Sequence, residues 1–190
     1  MLNYALIIQI FVLLNPLSSF PFLMVAYRKK LDVKRIAVFS VLTAFVIALL
    51  ITFVGPYLFS FFGITLNSFR VAGGIVLLLL GLDTIRPKEK EIVNVEGVHS
   101  LISIIATPML TGPATISYIT IKAYELGQFA VIANLIPAFI LVGVVFITFA
   151  YIVPKANVNL VNISSRILGL FLTAVSIEMI FTGVKGLWGV

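Results

Sequence analysis

Asn15-Pro16-Leu17-Ser18-Ser19-Phe20-Pro21 lies inside an apolar run that carries no charge from Met1 to Tyr27. Thr107-Pro108-Met109-Leu110-Thr111-Gly112-Pro113 repeats its pattern 92 residues later. Each stretch sets two prolines five positions apart, with polar residues between them, near the middle of a hydrophobic segment. Proline lacks an N–H and its ring clashes with the carbonyl one turn back, so each pair interrupts a helical hydrogen-bond ladder. In hydrocarbon an unsatisfied backbone group costs roughly several kcal/mol. Such breaks persist only where protein, water or a ligand supplies the missing partners.

The surrounding chain requires a bilayer. Of 190 residues, 61% are hydrophobic and 11% charged, and mean hydropathy is +1.20. A soluble domain is about half apolar and about a quarter charged. The composition therefore excludes a soluble enzyme, a secreted disulfide scaffold and a nucleic-acid-binding domain. No nucleic-acid partner follows from the net charge of +6, because the 13 Lys and Arg residues are scattered between apolar runs. There is no cysteine and only one histidine, His99, so no metal site and no cofactor is expected. The first segment has no basic leader and reads as a retained span.

Charges divide the chain into spans of about 20 residues each. Arg28, Lys29, Lys30, Lys34 and Arg35 end the first; Ile36–Phe69 is free of charge for 34 residues; Val71–Leu82 ends near Asp83 and Arg86. Gly97–Ile121, Leu126–Pro154 and Ile167–Leu187 supply three more. Six crossings place both termini on one side. Ten basic residues (Arg28, Lys29, Lys30, Lys34, Arg35, Arg86, Lys88, Lys90, Lys155, Arg166) then fall on the opposite side, against Arg70, Lys122 and Lys185 on the terminal side. Basic loops stay in the cytoplasm, so both termini are predicted outside a cell inner membrane.

Further correspondences accompany the two breaks. Gly55-Pro56 closes the apolar part of span two and Pro154 closes span five, 98 residues after Pro56. Arg70-Val71-Ala72-Gly73 opens span three, and Arg166-Ile167-Leu168-Gly169 opens span six, 96 residues later. Asp83 and Glu178 follow these arginines by 13 and 12 residues. The order predicts an all-α membrane protein of six transmembrane helices, built as two inverted three-helix repeats with the first and fourth helices discontinuous. The halves are 1–86 and 98–190, joined by a polar cytoplasmic loop at 87–97. Inverted repeats with broken helices point to a secondary transporter with its site at the midplane.

At such a break one half-helix offers free carbonyls and the next offers free N–H groups with partial positive charge. A zwitterion suits the two ends. The predicted substrate-binding residues are Asn15, Pro16, Ser18, Ser19 and Phe20 from the first break, and Thr107, Thr111, Gly112, Pro113 and Thr115 from the second. Glu178, the deepest carboxylate, is the candidate for proton coupling. Arg70 and Asp83 sit near opposite interfaces, where long side chains reach water. Ser18, Ser19 and Thr111 have no His or Lys partner at membrane depth, so no enzyme is expected. A channel, or an integral membrane protein that transports nothing, is the alternative, and a homo-oligomer is compatible with either.

NPLSSFPF (15–22), FGITLNSFRVAGGIVLLLLGLDTI (62–85) and TPMLTGPATIS (107–117), in that order, resemble the MarC family, which includes SnatA-type small neutral amino-acid transporters. The resemblance implies a polytopic inner-membrane protein that moves glycine, alanine or similar amino acids, linked to the proton gradient. By motif match, Asn15, Pro16, Gly112 and Pro113 carry over as break residues, and Phe69, Arg70, Ala72, Gly73 and Gly74 as a third-helix element. Ser18 and Ala114 stand where glycines are common in the family.

Overall fold

In the computed structural model, residues 2–86, 97–153 and 158–189 are described, and within them there is no β-strand. The predicted loop 87–97, apart from Gly97, lies outside the described residues, as do Lys88, Lys90, Pro154 and Lys155. Eight α-helical segments follow in order among the described residues: α1 (Tyr4–Leu14), α2 (Phe20–Arg28), α3 (Val33–Phe62), α4 (Leu66–Ile85), α5 (Gly97–Ile104), α6 (Pro113–Leu126), α7 (Gln128–Ile152) and α8 (Val158–Trp188). A 3-10 turn, Pro16–Ser19, joins α1 to α2, and a π-helical turn, Ile105–Leu110, continues α5 toward α6.

Local chemistry sets the helix ends. Asn3, Asp32 and Thr65 precede α1, α3 and α4, and each side chain accepts from a backbone N–H of the first turn. Gly63 ends α3 at φ +63°, and Gly127 separates α6 from α7 at φ +86°, a region open to glycine. The sequence expectation that Gly55-Pro56 closes the second span is corrected: α3 runs through Pro56 to Phe62. One proline removes one donor, and neighbouring helices re-satisfy the freed carbonyl in a membrane helix.

Among the described residues, five stretches are long and apolar enough to cross a membrane: Tyr4–Arg28, Val33–Phe59, Leu66–Ile85, Gln128–Ile152 and Leu160–Trp188. Large apolar side chains such as Leu79, Ile140, Leu170 and Phe181 point outward, a surface suited to lipid and not to water. The broken first stretch is the most enclosed, 65% buried against 22–39% for the others. Phe20 packs edge-to-face on Phe149 at 4.8 Å, and Phe45 on Phe139 at 5.2 Å, tying α2 and α3 to α7.

Two antiparallel pairs frame this centre. α3 and α7 run past each other from Lys34 over Tyr151 at one end to Gln128 bonded to the Phe53 carbonyl at the other. α4 and α8 make the most extensive contact in the chain. A Cβ on Gly81 would lie 2.5 Å from Thr173 Oγ1 and 2.9 Å from the Thr173 backbone nitrogen. Near the other end, one on Gly183 would lie 2.8 Å from the Asn67 carbonyl. Missing side chains let these backbones approach, the usual basis of helix packing in lipid. The pairings gather Arg28, Lys34, Arg35, Arg86 and Arg166 at a basic end. Asn3, Arg70, Lys122, Glu125 and Lys185 lie at the opposite end.

Candidate functional site

At the first break the chain leaves α1 through Asn15, whose φ of +39° lies in the left-handed region. Asparagine is among the few non-glycine residues that adopt it routinely. Its N–H donates to the carbonyls of Phe11 and Val12, at 3.2 and 3.1 Å, which closes α1. Pro16, without an N–H, starts the 3-10 turn. The Asn15 carbonyl accepts from the Ser18 N–H at 3.0 Å and from Ser18 Oγ at 2.8 Å. The chain then enters α2 at Phe20, which is fully buried.

The second break uses different geometry. The π turn makes Thr111 donate five residues back: its N–H and its Oγ1 both reach the Ala106 carbonyl, at 3.0 and 2.6 Å. Gly112 is extended at φ −68°, ψ 174°, and α6 begins at Pro113 with no side-chain cap. Thr115 Oγ1 donates to the Leu110 carbonyl at 3.1 Å. π turns inside membrane or soluble helices concentrate at functional positions, because they displace backbone groups from the ladder.

The two interrupted segments touch each other; the 3-10 turn also packs on α8 and the π turn on α3. Asn15, Pro16, Ser19, Phe20, Thr111, Gly112 and Thr115 are buried there, and Ser18 is half-buried. The side chains of Thr107 and Pro113 lie outside the described residues. Glu178 is not brought to this place. It is exposed on the outer face of α8, whereas Ser176 and Met179 beside it are buried.

One expectation needs refinement. The hydroxyls of Ser18, Thr111 and Thr115 are turned back on the carbonyls that the breaks set free, so those carbonyls are largely satisfied within the chain. What remains without a partner is a different set. Asn15 Oδ1 and Ser19 Oγ, on the first break, are buried and make no hydrogen bond, as are Ser40 Oγ on α3 and Thr120 Oγ1 on α6. A buried polar atom left unpaired costs about 1–3 kcal/mol, so a pair of them on one buried turn calls for a reason.

The end of the bundle opposite the basic end carries an ion-paired cluster. Glu125 accepts from Arg70 of α4 and, at 2.9 Å, from Lys122 one turn back on α6. Arg70 also donates to Asn67 Oδ1 at 2.8 Å. Glu125 lies outside the apolar run that ends at Ile121. Burial pulls its carboxyl upward, but the hydrogen bonds from Lys122 and Arg70, and their charges, outweigh burial and hold it below the ordinary carboxylate value.

Polar contacts that sequence reading missed lie nearby. The Asn3 N–H donates to Asn134 Oδ1 at 2.7 Å, fastening the start of α1 to α7. Tyr118 on α6 donates to Gln9 on α1. A cleft of about 620 Å³ opens beside the first of these, lined by residues including Asn3, Tyr4, Leu126, Ala130 and Asn134. Asn3 directly before an apolar run was a readable cap signal, and Gln9 a readable polar interruption. Their partners, more than 100 residues away, carried no local mark.

Residues 2–188, nearly the whole chain with both breaks and the α4–α8 pair, match the model of the MarC family integral membrane proteins. The chain belongs to the MarC family. It is similar to a UPF0056 membrane protein of Methanocaldococcus jannaschii, 30% identical over 196 residues that cover 95% of this chain and 86% of that one. The UPF0056 membrane protein YhcE of Escherichia coli is 26% identical, with 95% and 91% of the two chains covered. YvbG of Bacillus subtilis is also 26% identical, with 96% and 94% covered. No solved structure matches. MarC membership makes this a multi-pass integral membrane protein, in accord with the five apolar spans.

Proposed function

We propose that this MarC chain is a secondary transporter of small neutral amino acids such as glycine or alanine, working by alternating access and driven by a proton gradient. In this reading α1 and α2 together form the first crossing, and α5, the π turn and α6 as far as Ile121 together form the fourth. The chain is then two inverted three-helix halves. The antiparallel packing of α3 on α7 and of α4 on α8 supports that relation, since each of these helices meets the element at the same place in the other half. The excess of basic residues at one end argues for an inner membrane with both termini outside.

A single observation carries the functional reading: the two interrupted segments meet, with Asn15 Oδ1 and Ser19 Oγ buried and unpartnered on one of them. Both oxygens accept hydrogen bonds, which an ammonium group donates. Across the contact, α6 starts at an uncapped glycine with its partial positive charge toward the break, a setting for a carboxylate. Acceptors for one group and a dipole end for the other match an α-amino acid. Phe20, Leu14 and Ala114 are all buried around the breaks and give such a site apolar walls.

Rocking of the halves about the breaks exposes such a site to each side in turn. The Arg70–Glu125–Lys122 cluster ties α4 to α6 at the terminal end, and in this reading it holds that side shut. Purified protein in proteoliposomes should take up labelled glycine, alanine, serine or threonine saturably, and faster under an imposed proton gradient. Absence of saturable uptake of all four, with either proton or sodium gradients, overturns the proposal.

A further inference from the structure

We propose that the cleft between α3 and α7 at the basic end binds an anionic membrane phospholipid, its phosphate at Lys34 and one apolar chain along the groove below. The cleft, about 180 Å³, is lined by Lys34, Ala37, Val38, Ile147, Ala150 and Tyr151. Four of the six are apolar, and the two polar-tipped residues stand together at one end: Lys34 Nζ lies over the Tyr151 ring, 4.2 Å from its centroid. A charged head at the mouth and hydrocarbon walls below reproduce the polarity of a lipid.

The groove opens sideways. Lys34, Val38, Ile147 and Tyr151 are all exposed, while Ala37 at its floor is buried. One turn further in along α7 the packing stays open at Gly143, where an added Cβ would meet only Val41 Cγ1, at 3.9 Å. Beyond it the Phe45–Phe139 contact joins α3 to α7. A trough that starts at a basic surface and runs down between two spanning helices is continuous with the acyl region of the bilayer. A soluble anion has no use for that depth.

Charge selects the headgroup. Arg28, Lys29, Lys30, Lys34 and Arg35 fall within eight positions, and the positive end of the α3 dipole points the same way. Arg35 lies over Phe39 at 5.7 Å, one turn along α3. The one acidic residue among them, Asp32, is engaged as the α3 cap through the Arg35 N–H. A second copy of the chain is a poor occupant, because it would bring the same cations against Lys34. A phosphodiester meets the charge and supplies the hydrocarbon.

Native mass spectrometry of the purified chain, and its thermal unfolding in mild detergent, test this with phosphatidylglycerol and phosphatidylcholine of identical acyl chains. Phosphatidylglycerol should be retained preferentially and should raise the midpoint of unfolding. Lys34→Gln should lower its retention about fivefold, the equivalent of about 1 kcal/mol for one basic residue at a membrane surface. Lys34→Arg should restore most of it. Lys30→Gln, equal in charge change but away from the groove, should have a clearly smaller effect. Three results overturn the proposal: equal retention of both lipids, equal losses for Lys34→Gln and Lys30→Gln, or displacement of the lipid by free glycerol phosphate. The first denies headgroup selection, the second denies the groove, and the third assigns the site to a soluble phosphate ester.

Discussion

Arg70 of α4 donates to a Glu125 carboxylate that Lys122 of α6 also holds, so one acidic group fastens two helices at the terminal end. The three side chains are 18–28% exposed, and water weakens such pairs to about 0.2–1 kcal/mol each. Lys122 and Glu125 share α6, so only the Arg70–Glu125 pair crosses between helices; with Lys122 orienting the carboxylate, closure is worth up to about 1 kcal/mol, roughly a fivefold change in an open–closed ratio. The chain has no cysteine, so Thr120→Cys, buried on α6, is a clean reporter of opening. Glu125→Gln should raise its labelling by a water-soluble thiol reagent about fivefold. Because the Glu125 carboxyl is held below its ordinary value, the latch is intact above the normal carboxylate range and is lost as pH falls through the lowered value. Labelling, normalised to a surface cysteine, should therefore rise on acidification and stay flat in Glu125→Gln. Identical labelling in both proteins at every pH would remove the latch.

Asn15 has two separable roles, a backbone one through its φ of +39° and a side-chain one through Oδ1. Asn15→Gly keeps the first, since glycine enters the left-handed region freely, and deletes the second. Thermal stability should change little, while the apparent Km for amino-acid uptake should rise about tenfold or more, as for loss of a hydrogen bond to a charged group worth about 1.5–3 kcal/mol. Asn15→Ala should lose both, with about 1–2 kcal/mol of added backbone strain. Normal Km in Asn15→Gly would move the binding site elsewhere.

The breaks were readable because their causes are local. Two prolines, an asparagine that accepts a left-handed turn and a glycine ahead of Pro113 act on neighbours within one turn. The caps at Asp32 and Thr65, and the glycine stop at Gly63, are of the same kind. Depth was readable too, since Glu178 must lie well inside α8 by counting. Its face was not. In lipid the outward and inward sides of a helix are both apolar, so the α8 sequence gives no periodic signal to separate exposed Ile177 and Phe181 from buried Leu172 and Met179. The targets of the Ser18, Thr111 and Thr115 hydroxyls were likewise hidden. A hydroxyl beside a broken helix can face a ligand or its own backbone, and the backbone geometry that decides this is a property of the folded turn.

Glycines in the spans are not equivalent, and two of them give opposite expectations. A methyl at Gly81 would press on the Thr173 backbone at 2.9 Å and the Gly169 carbonyl at 3.1 Å, which a side-chain rotation does not relieve. Gly81→Ala should force α4 and α8 apart and destabilise the chain by about 1–3 kcal/mol. At Gly143 the nearest atom is 3.9 Å away, so Gly143→Ala should be tolerated and even gain up to about 1 kcal/mol from helix propensity. Unfolding midpoints of the two variants in one detergent check the contrast. Equal midpoints would mean that the α4–α8 pairing is looser than described.

Glu178 is the remaining test of energy coupling. It lies on the exposed face of α8, level with the part of α4 near Gly74, which packs against Ser176 and Ile180. α4 runs from Leu66 to Ile85, so that level is close to the middle of the span. An ionised side chain at the centre of a bilayer costs about 2.5–3.5 kcal/mol even on insertion scales, which is why Glu178 is proposed as a functional position. It does not reach the breaks, so any influence on them passes through α8, which packs on the 3-10 turn of the first break. On this reading Glu178→Gln should abolish uptake driven by a pH gradient while leaving substrate affinity and substrate exchange across the membrane within about twofold, far below the tenfold steps of a lost binding contact. Parallel measurement of exchange and of gradient-driven uptake in proteoliposomes separates the two. Driven uptake at the wild-type rate would end the coupling role, and loss of exchange as well would return Glu178 to the binding step.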